Sequence, residues 1–454
     1  MKFIKSKKIL NSIKKYPWRD TLYSFKHLPR VFSRIEKIIL LGLFATVAIS
    51  FVFLGYRNWL SGTRQVPATG GEFVEGIVGE SKDLDKHLPR LIYAGLTKYD
   101  NQKNIVADMA QSWEIKNNGK LYEFKLRDNF SSEDLASQIL SKNIWKDIEI
   151  STPDSSTITF SFKQPFSPFL YASTEPIFDY GPYRISKETK DEVELTARDD
   201  YYAGKPYINK VVVKLFNSQD DLLKAARRKD IYGLGIQNNQ DMKDYNKFEV
   251  HLPRDLYLFF NLSNKSLQDI NIRRALKENS SPNKELDLRL VTSDNAKNVE
   301  LAKAVVDKWG KAGVKVTLDV KDNVTLQKTT IPKRDYDLLL YGLDYGEDPD
   351  PYPFWHSSQI KEDGRNLSNF KNIKADKLME DARQEFDFKK REEKYAEFQQ
   401  IIDQEIPAYV VEHQDYFYLV SNKVYGIEKI VAATEGDRFL NVALWYIHTK
   451  RIKK

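Results

Sequence analysis

The side chains best able to move protons near neutral pH are the six histidines, His27, His87, His251, His356, His413 and His448, and they are scattered along the chain. No His-Glu-x-x-His pair, no Gly-x-Ser-x-Gly elbow and no phosphate-cradling glycine loop after a strand occurs. Cysteine is absent, which removes thiolate nucleophiles, thiolate metal ligands, disulfides and lipid attachment through a cysteine. Glu412-His413 becomes a catalytic dyad only if folding supplies a third group; otherwise it is a surface or sheet-edge pair. The acidic run Glu347-Asp348-Pro349-Asp350-Pro351 offers hard oxygens, but its spacing does not match a calcium loop and two prolines stiffen it. The sequence therefore predicts a protein without catalytic residues, metal or cofactor, one that binds rather than converts.

A binding role needs elements to shape a cleft, and the chain is long enough to build two lobes, with 454 residues against a typical domain of roughly 100–200. Its 25 Tyr and 25 Phe can line such a cleft or pack cores. The net charge of +7 would suit nucleic acid if it were spread out. Residues 1–37, however, carry eleven Lys/Arg against Asp20 and Glu36, a local balance of +9, which leaves −2 for the rest. A near-neutral body behind a basic tail argues against nucleic acid and for a membrane.

Residues 38–56, IILLGLFATVAISFVFLGY, contain no charge, and about 19 helical residues cross a hydrocarbon core of roughly 30 Å. The long basic flank and the Tyr56-Arg57-Asn58-Trp59 that follows do not resemble a cleavable signal. The Lys/Arg excess before the helix predicts a single pass with the N-terminus inside and the C-terminal body outside the cytoplasmic membrane. In the basic segment, Phe3, Ile4, Leu10 and Ile13 fall at roughly helical spacing, open to reading as an interfacial helix or a solvated flank. Residues 57–70 read as a linker.

Beyond it, strand-like alternation appears at 122–126, 157–162 and 211–215. The clearest unit is strand, helix, strand. Leu286, Leu288 and Leu290 alternate, 296–312 carries Val299, Ala302, Val306 and Trp309 on one stripe, and Gly313 can cap it. Strands at 314–320 and 337–341 follow, predicting an α/β body with parallel neighbours. Such sheets bind ligands at the carboxyl ends of their strands, which points to the segment after Tyr341.

Several strings now stand in a recognisable order: Leu91-Ile92-Tyr93-Ala94-Gly95-Leu96 with Val106-Ala107-Asp108-Met109-Ala110-Gln111-Ser112-Trp113-Glu114, Asn118-Gly119-Lys120-Leu121-Tyr122-Glu123-Phe124-Lys125-Leu126-Arg127, Gln164-Pro165-Phe166-Ser167-Pro168-Phe169-Leu170, Gly181-Pro182-Tyr183, Asp200-Tyr201-Tyr202-Ala203-Gly204-Lys205-Pro206-Tyr207-Ile208, and Leu258-Phe259-Phe260-Asn261 with Ile272-Arg273-Arg274-Ala275-Leu276. Spread over about 71–430, they resemble bacterial extracellular solute-binding protein family 5, the oligopeptide and dipeptide substrate-binding class of ABC transporters. The resemblance implies a two-lobed, periplasmic-binding-protein-like clamp of type II. Lobe 1 would span 71–255, with a subdomain at about 83–171, lobe 2 would span 256–424, and 425–454 would return to lobe 1. The chain departs from the family at 128–135, between Ile177 and Gly181, and between Leu276 and Leu286, where it is shorter. The extra subdomain is therefore expected to be reduced.

The family's amine-binding carboxylate lies in a Trp-x-Ala-Asp-Tyr segment, which Tyr341-Gly342-Leu343-Asp344-Tyr345 matches in its Asp-Tyr but not in its Trp. The resemblance thus implies Asp344 as the amine contact, flanked by Tyr341, Gly342 and Tyr345, although Asp344 can equally order the turn at Gly346. Trp355, with Tyr352, is a candidate for a pocket wall or for the core. Tyr257 and Asn261 are placed beside the ligand on a hinge strand expected at 257–261. The implied partners are a peptide or similar amine-bearing solute, ABC permease subunits and, through 38–56, the membrane, with the chain itself a monomer. An alternative is a clamp-fold surface or sensing protein without a transport role.

Overall fold

In the computed structural model, residues 33–454 are described apart from Lys146, Glu347 and Val431, so the basic segment before Ser33, with its interfacial-helix expectation, lies outside the described residues. The chain forms two compact units. One contains the apolar helix and the chain up to Pro67 together with Thr449–Lys454, and the other is Ala68–His448.

The helix runs Arg34–Ser61, longer at both ends than the uncharged stretch. It starts with a capping box, in which Ser33 accepts from the Glu36 amide while the Glu36 carboxylate accepts from the Ser33 amide at 2.8 Å. None of its residues is buried. The segment read as a linker is ordered instead. Thr63–Ala68 is a strand in a two-stranded sheet with His448–Lys453. Its partner is nearly the whole chain away, so local composition gave no sign of the pairing. Of the return to lobe 1 expected at 425–454, Thr449–Lys454 belong instead to the unit that contains the apolar helix.

The larger unit is organised on one ten-stranded mixed sheet. In spatial order the strands are Lys315–Lys321, Asp287–Ser293, Leu338–Asp344, Tyr245–Phe260, Ala408–Ser421, Gly233–Ile236, Glu72–Val78, Lys210–Phe216, Glu192–Ala197 and Tyr183–Glu188. The predicted strand–helix–strand unit is present. Asp287–Ser293 lies parallel to both Lys315–Lys321 and Leu338–Asp344, and the helix Ala296–Lys311 buries Ala302, Val305 and Trp309 against them. Asn295 caps that helix, accepting from the Lys297 and Asn298 amides, and Gly313 follows it in the left-handed region at φ +83°.

Two long antiparallel strands, Tyr245–Phe260 and Ala408–Ser421, carry the chain between the lobes. The first part of Tyr245–Phe260 and the last part of Ala408–Ser421 pack Phe248 and Val250 with Tyr416 and Tyr418 into the core of the first lobe, together with Phe73, Phe439 and Trp445. Their other part packs Leu256, Leu258 and Phe260 with Tyr409 into the second, together with Trp309 and Leu340. The pairing register shifts between Leu256 and Tyr257, at the edge of the hinge strand expected at 257–261, and also between His251 and Asp255. Pro253, which has no N–H to give to a ladder, sits inside that interruption. A separate antiparallel sheet, Ala110–Lys116, Leu121–Leu126, Thr157–Ser161 and Glu149–Asp154, encloses its own aromatic core of Tyr122, Phe124, Phe160 and Phe169.

Candidate functional site

Glu72–Val78 and Gly233–Ile236 are parallel neighbours, and their carboxyl ends open onto a cavity of about 1020 Å³. The first lobe supplies Ile77, Val78, Ile236 and Gln237 from those ends, Asp83, Lys86, His87 and Arg90 from the segment after the first strand, and Glu435, Asp437 and Arg438 from the returning chain. Arg254, Asp344 and Gly346 face them from the other side. The cavity is therefore an inter-lobe cleft with a strongly charged lining.

Its floor is an ion-pair network. Glu75, fully buried in the first strand, accepts from Arg438 Nε at 2.9 Å and from the Tyr418 hydroxyl at 2.8 Å. Burial pushes the Glu75 carboxyl up, and the adjacent Arg438 guanidinium opposes that rise. Arg90 Nε donates to Asp437 at 2.6 Å and Nη1 donates to the Thr174 carbonyl at 2.6 Å. The other Asp437 oxygen accepts from the amides of Ala433 and Thr434 and from the Thr434 hydroxyl, fixing the loop that carries Glu435. Arg438 Nη1 donates to the Glu435 carbonyl and lies 3.3 Å from His87 Nδ1. Burial, reinforced by the Arg438 and Lys86 charges, lowers the His87 imidazole to about 3, so it is neutral at physiological pH.

The network reaches across the cleft. Arg254 stands opposite Asp344 in the antiparallel register of Tyr245–Phe260 with Leu338–Asp344, and cross-strand neighbours of opposite charge pair directly. Arg254 Nη2 and Nε donate to one Asp344 oxygen at 2.9 and 3.1 Å, and Nη1 lies 3.6 Å from the Glu435 carboxylate. The second Asp344 oxygen accepts from the Gly346 amide at 3.0 Å, where Gly346 turns at φ +65°. Asp344 thus orders the turn at Gly346, as one of its two sequence readings expected, and it also lines the cavity.

The other expected site residues fall into three places. Tyr345, Tyr257 and Trp355 meet behind Asp344, where the Trp355 indole N–H donates to the Tyr345 hydroxyl at 3.2 Å and the Tyr257 and Tyr345 hydroxyls are 3.4 Å apart. Trp355 is only 2% exposed and packs with Phe259 and Phe354, so it supports the wall from the core side. Tyr341 and Gly342 line a smaller cavity of about 400 Å³ with Leu343, Asp344 and Arg365. Asn261 is buried. Its amide donates to the carbonyls of Arg334 and Tyr336, and its oxygen accepts from the Ser263 amide and from Asn369. Those bonds occupy both ends of the side chain and organise a loop remote from the cleft lining.

The residues with alternative chemistry are engaged elsewhere. His413 Nδ1 lies 2.8 Å from Asp255, whereas Glu412 pairs with Lys297 at 3.0 Å. In the acidic turn, Asp348 is held by Arg391 at 2.9 Å and Asp350 by Arg383 at 2.7 Å. Sequence reasoning missed Arg254, Glu435, Arg438 and His87. One signal was available, the isolated carboxylate in the apolar strand sequence EFVEGIV, because a charge between buried positions demands a partner.

The model of "Bacterial extracellular solute-binding proteins, family 5 Middle" matches residues 134–279. The chain is 24% identical over 423 residues to the "Probable D,D-dipeptide-binding periplasmic protein DdpA" of Escherichia coli (strain K12), covering 70% of this chain and 81% of that protein. It is 21% identical over 467 residues to the "Oligopeptide-binding protein AppA" of Bacillus subtilis (strain 168), covering 75% and 86%. In structure it is similar to Bacillus subtilis AppA in complex with a nonapeptide, with a TM-score of 0.65 and 19% identity over 84% of this chain and 99% of that one. At that identity the structural likeness is one of fold.

Proposed function

Starting from a chain that belongs to bacterial extracellular solute-binding protein family 5, we propose that it captures peptides, or similar amine-bearing solutes, in the inter-lobe cleft and delivers them unchanged to an ABC importer. The observation that carries this reading is the cleft of about 1020 Å³ at the carboxyl ends of parallel strands, walled on one side by Asp344. Asp344 supplies the carboxylate for a ligand ammonium. Glu435, 3.6 Å from Arg254 on the facing lobe, supplies a second anion, and Arg254 between them is placed for a ligand carboxylate or carbonyl. The relatives' peptide-binding descriptions support the same ligand class. A cleft that only closes around its ligand needs no catalytic group.

The apolar helix supports a permanent anchor. It spans 28 residues, reaches a mean hydropathy of 2.6 over 18 residues and buries none of its side chains, which in water would leave a large unpaired apolar surface. The Lys/Arg-rich segment before it supports an inside N-terminus and an extracytoplasmic body.

One observation favours a second reading, a surface or sensing protein without transport. Arg254 already neutralises Asp344, so the proposed amine site starts with its charge satisfied. Native mass spectrometry of the full chain after incubation with a mixed peptide library separates the two. Retained peptides and a raised melting temperature support capture, whereas an empty and unstabilised protein supports the second reading.

A further inference from the structure

The unit that contains the apolar helix has an unbalanced charge just past the helix end. Residues 57–67 and 449–454 carry Arg57, Arg64, Lys450, Arg451, Lys453 and Lys454, with no Asp or Glu among them. The fold gathers these residues although they are almost four hundred positions apart. Thr63–Ala68 pairs with His448–Lys453, and the Lys454 amide donates to the Gly62 carbonyl at 3.1 Å. Arg451 pins the returning strand to the helix. Its guanidinium lies 5.2 Å from the centre of the Trp59 ring, and Nη1 donates to the Thr63 hydroxyl at 2.9 Å. The other five cations are exposed.

The position of this collar along the helix identifies a partner. The uncharged stretch ends at Tyr56, whose ring stacks on Trp59 at 6.1 Å between centroids, an aromatic pair of the kind that marks a membrane–water interface. At 1.5 Å per residue, Gly62 lies roughly 9 Å beyond Tyr56, which is headgroup depth. A cluster of cations there meets phosphodiester groups without leaving water. Near an anionic bilayer each one strengthens association roughly fivefold.

We propose that residues 57–67 and 449–454 form a collar that recruits anionic phospholipid headgroups in the leaflet on the C-terminal side of the helix. This rests on the membrane reading above and adds to it a lipid preference set by the end of the chain. The returning strand is the specific device: without it only Arg57 and Arg64 would remain at that depth.

The test uses the full chain in nanodiscs of phosphatidylcholine alone or with 30% phosphatidylglycerol, followed by native mass spectrometry of the lipids retained on release, as order-of-magnitude comparisons. The expected result is roughly tenfold preferential retention of phosphatidylglycerol, falling severalfold but not to parity in K450Q/K453Q/K454Q, which keeps Arg57, Arg64 and the Arg451 contact while neutralising three exposed cations. Equal retention of both lipids by the unaltered chain, or an unchanged preference in the variant, overturns the collar. Failure of the chain to enter nanodiscs at all overturns the membrane reading with it, so the two failures are distinguishable.

Discussion

At the scale of single residues, the cleft is governed by charges that compensate one another across the lobes. His87 is the most sensitive of them to acid. Its folded-state value of about 3 lies below the ordinary 6.5, so the folded protein refuses a proton that the unfolded chain accepts. The stability it contributes is full above pH 6.5 and is lost as pH falls toward 3. Between pH 7 and pH 5 the loss is about 2 kcal/mol, and denaturant melts should show His87→Gln losing less over that interval than the unaltered protein. An equal loss in both would mean that the imidazole is solvated. Arg254→Ala is expected to act differently. It removes the partner of Asp344 and the contact with Glu435, and it should strengthen binding of ligands that offer only an amine while weakening zwitterionic ones, as titration calorimetry would read. The segment holding Asp344 was legible from the carboxyl end of a predicted strand, and Asp344 itself through its match to a family segment. Its partnership with Arg254 was not, because it depends on the register of strands separated by about ninety residues.

At the scale of elements, the strand–helix–strand unit was legible because its signals are local: alternating leucines, an apolar stripe at helical spacing, and a glycine where the helix ends in a left-handed turn. Trp309, at the C-terminal end of that stripe, packs on Phe260 and donates its indole N–H to the Leu276 carbonyl at 2.8 Å. Trp309→Ala should therefore cost about 3–5 kcal/mol in denaturant melts. A loss below about 1 kcal/mol would show that the helix is not packed as described. Removing the Asn295 cap is a milder change, about 1 kcal/mol for Asn295→Ala by the same measurement. What the sequence could not disclose were pairings between distant segments. The register shifts at His251–Asp255 and at Leu256–Tyr257 depend on pairing with a strand more than 150 residues away, and the strand at 63–68 was hidden because its partner is the strand His448–Lys453.

At the scale of the whole molecule, the two lobes share one sheet, and only the strands Tyr245–Phe260 and Ala408–Ser421 run between their cores among the described residues. The proposed capture of a ligand would close a body joined this way by small rotations at the two register shifts, so that both faces hold the ligand. Ligand binding should therefore stabilise the fold, by about 2.7 kcal/mol at a free concentration one hundred times the dissociation constant. The claim at the centre of this account is that the cleft recognises a ligand amine through Asp344. Calorimetric titration of the full chain and of Asp344→Asn, each with one peptide in its free-amine and N-acetylated forms, tests it most directly. The account predicts that the substitution weakens the free-amine peptide by roughly tenfold to a hundredfold, the range for a hydrogen bond to a charged group, and leaves the acetylated one nearly unchanged. Equal weakening of both forms, or none of either, would contradict it.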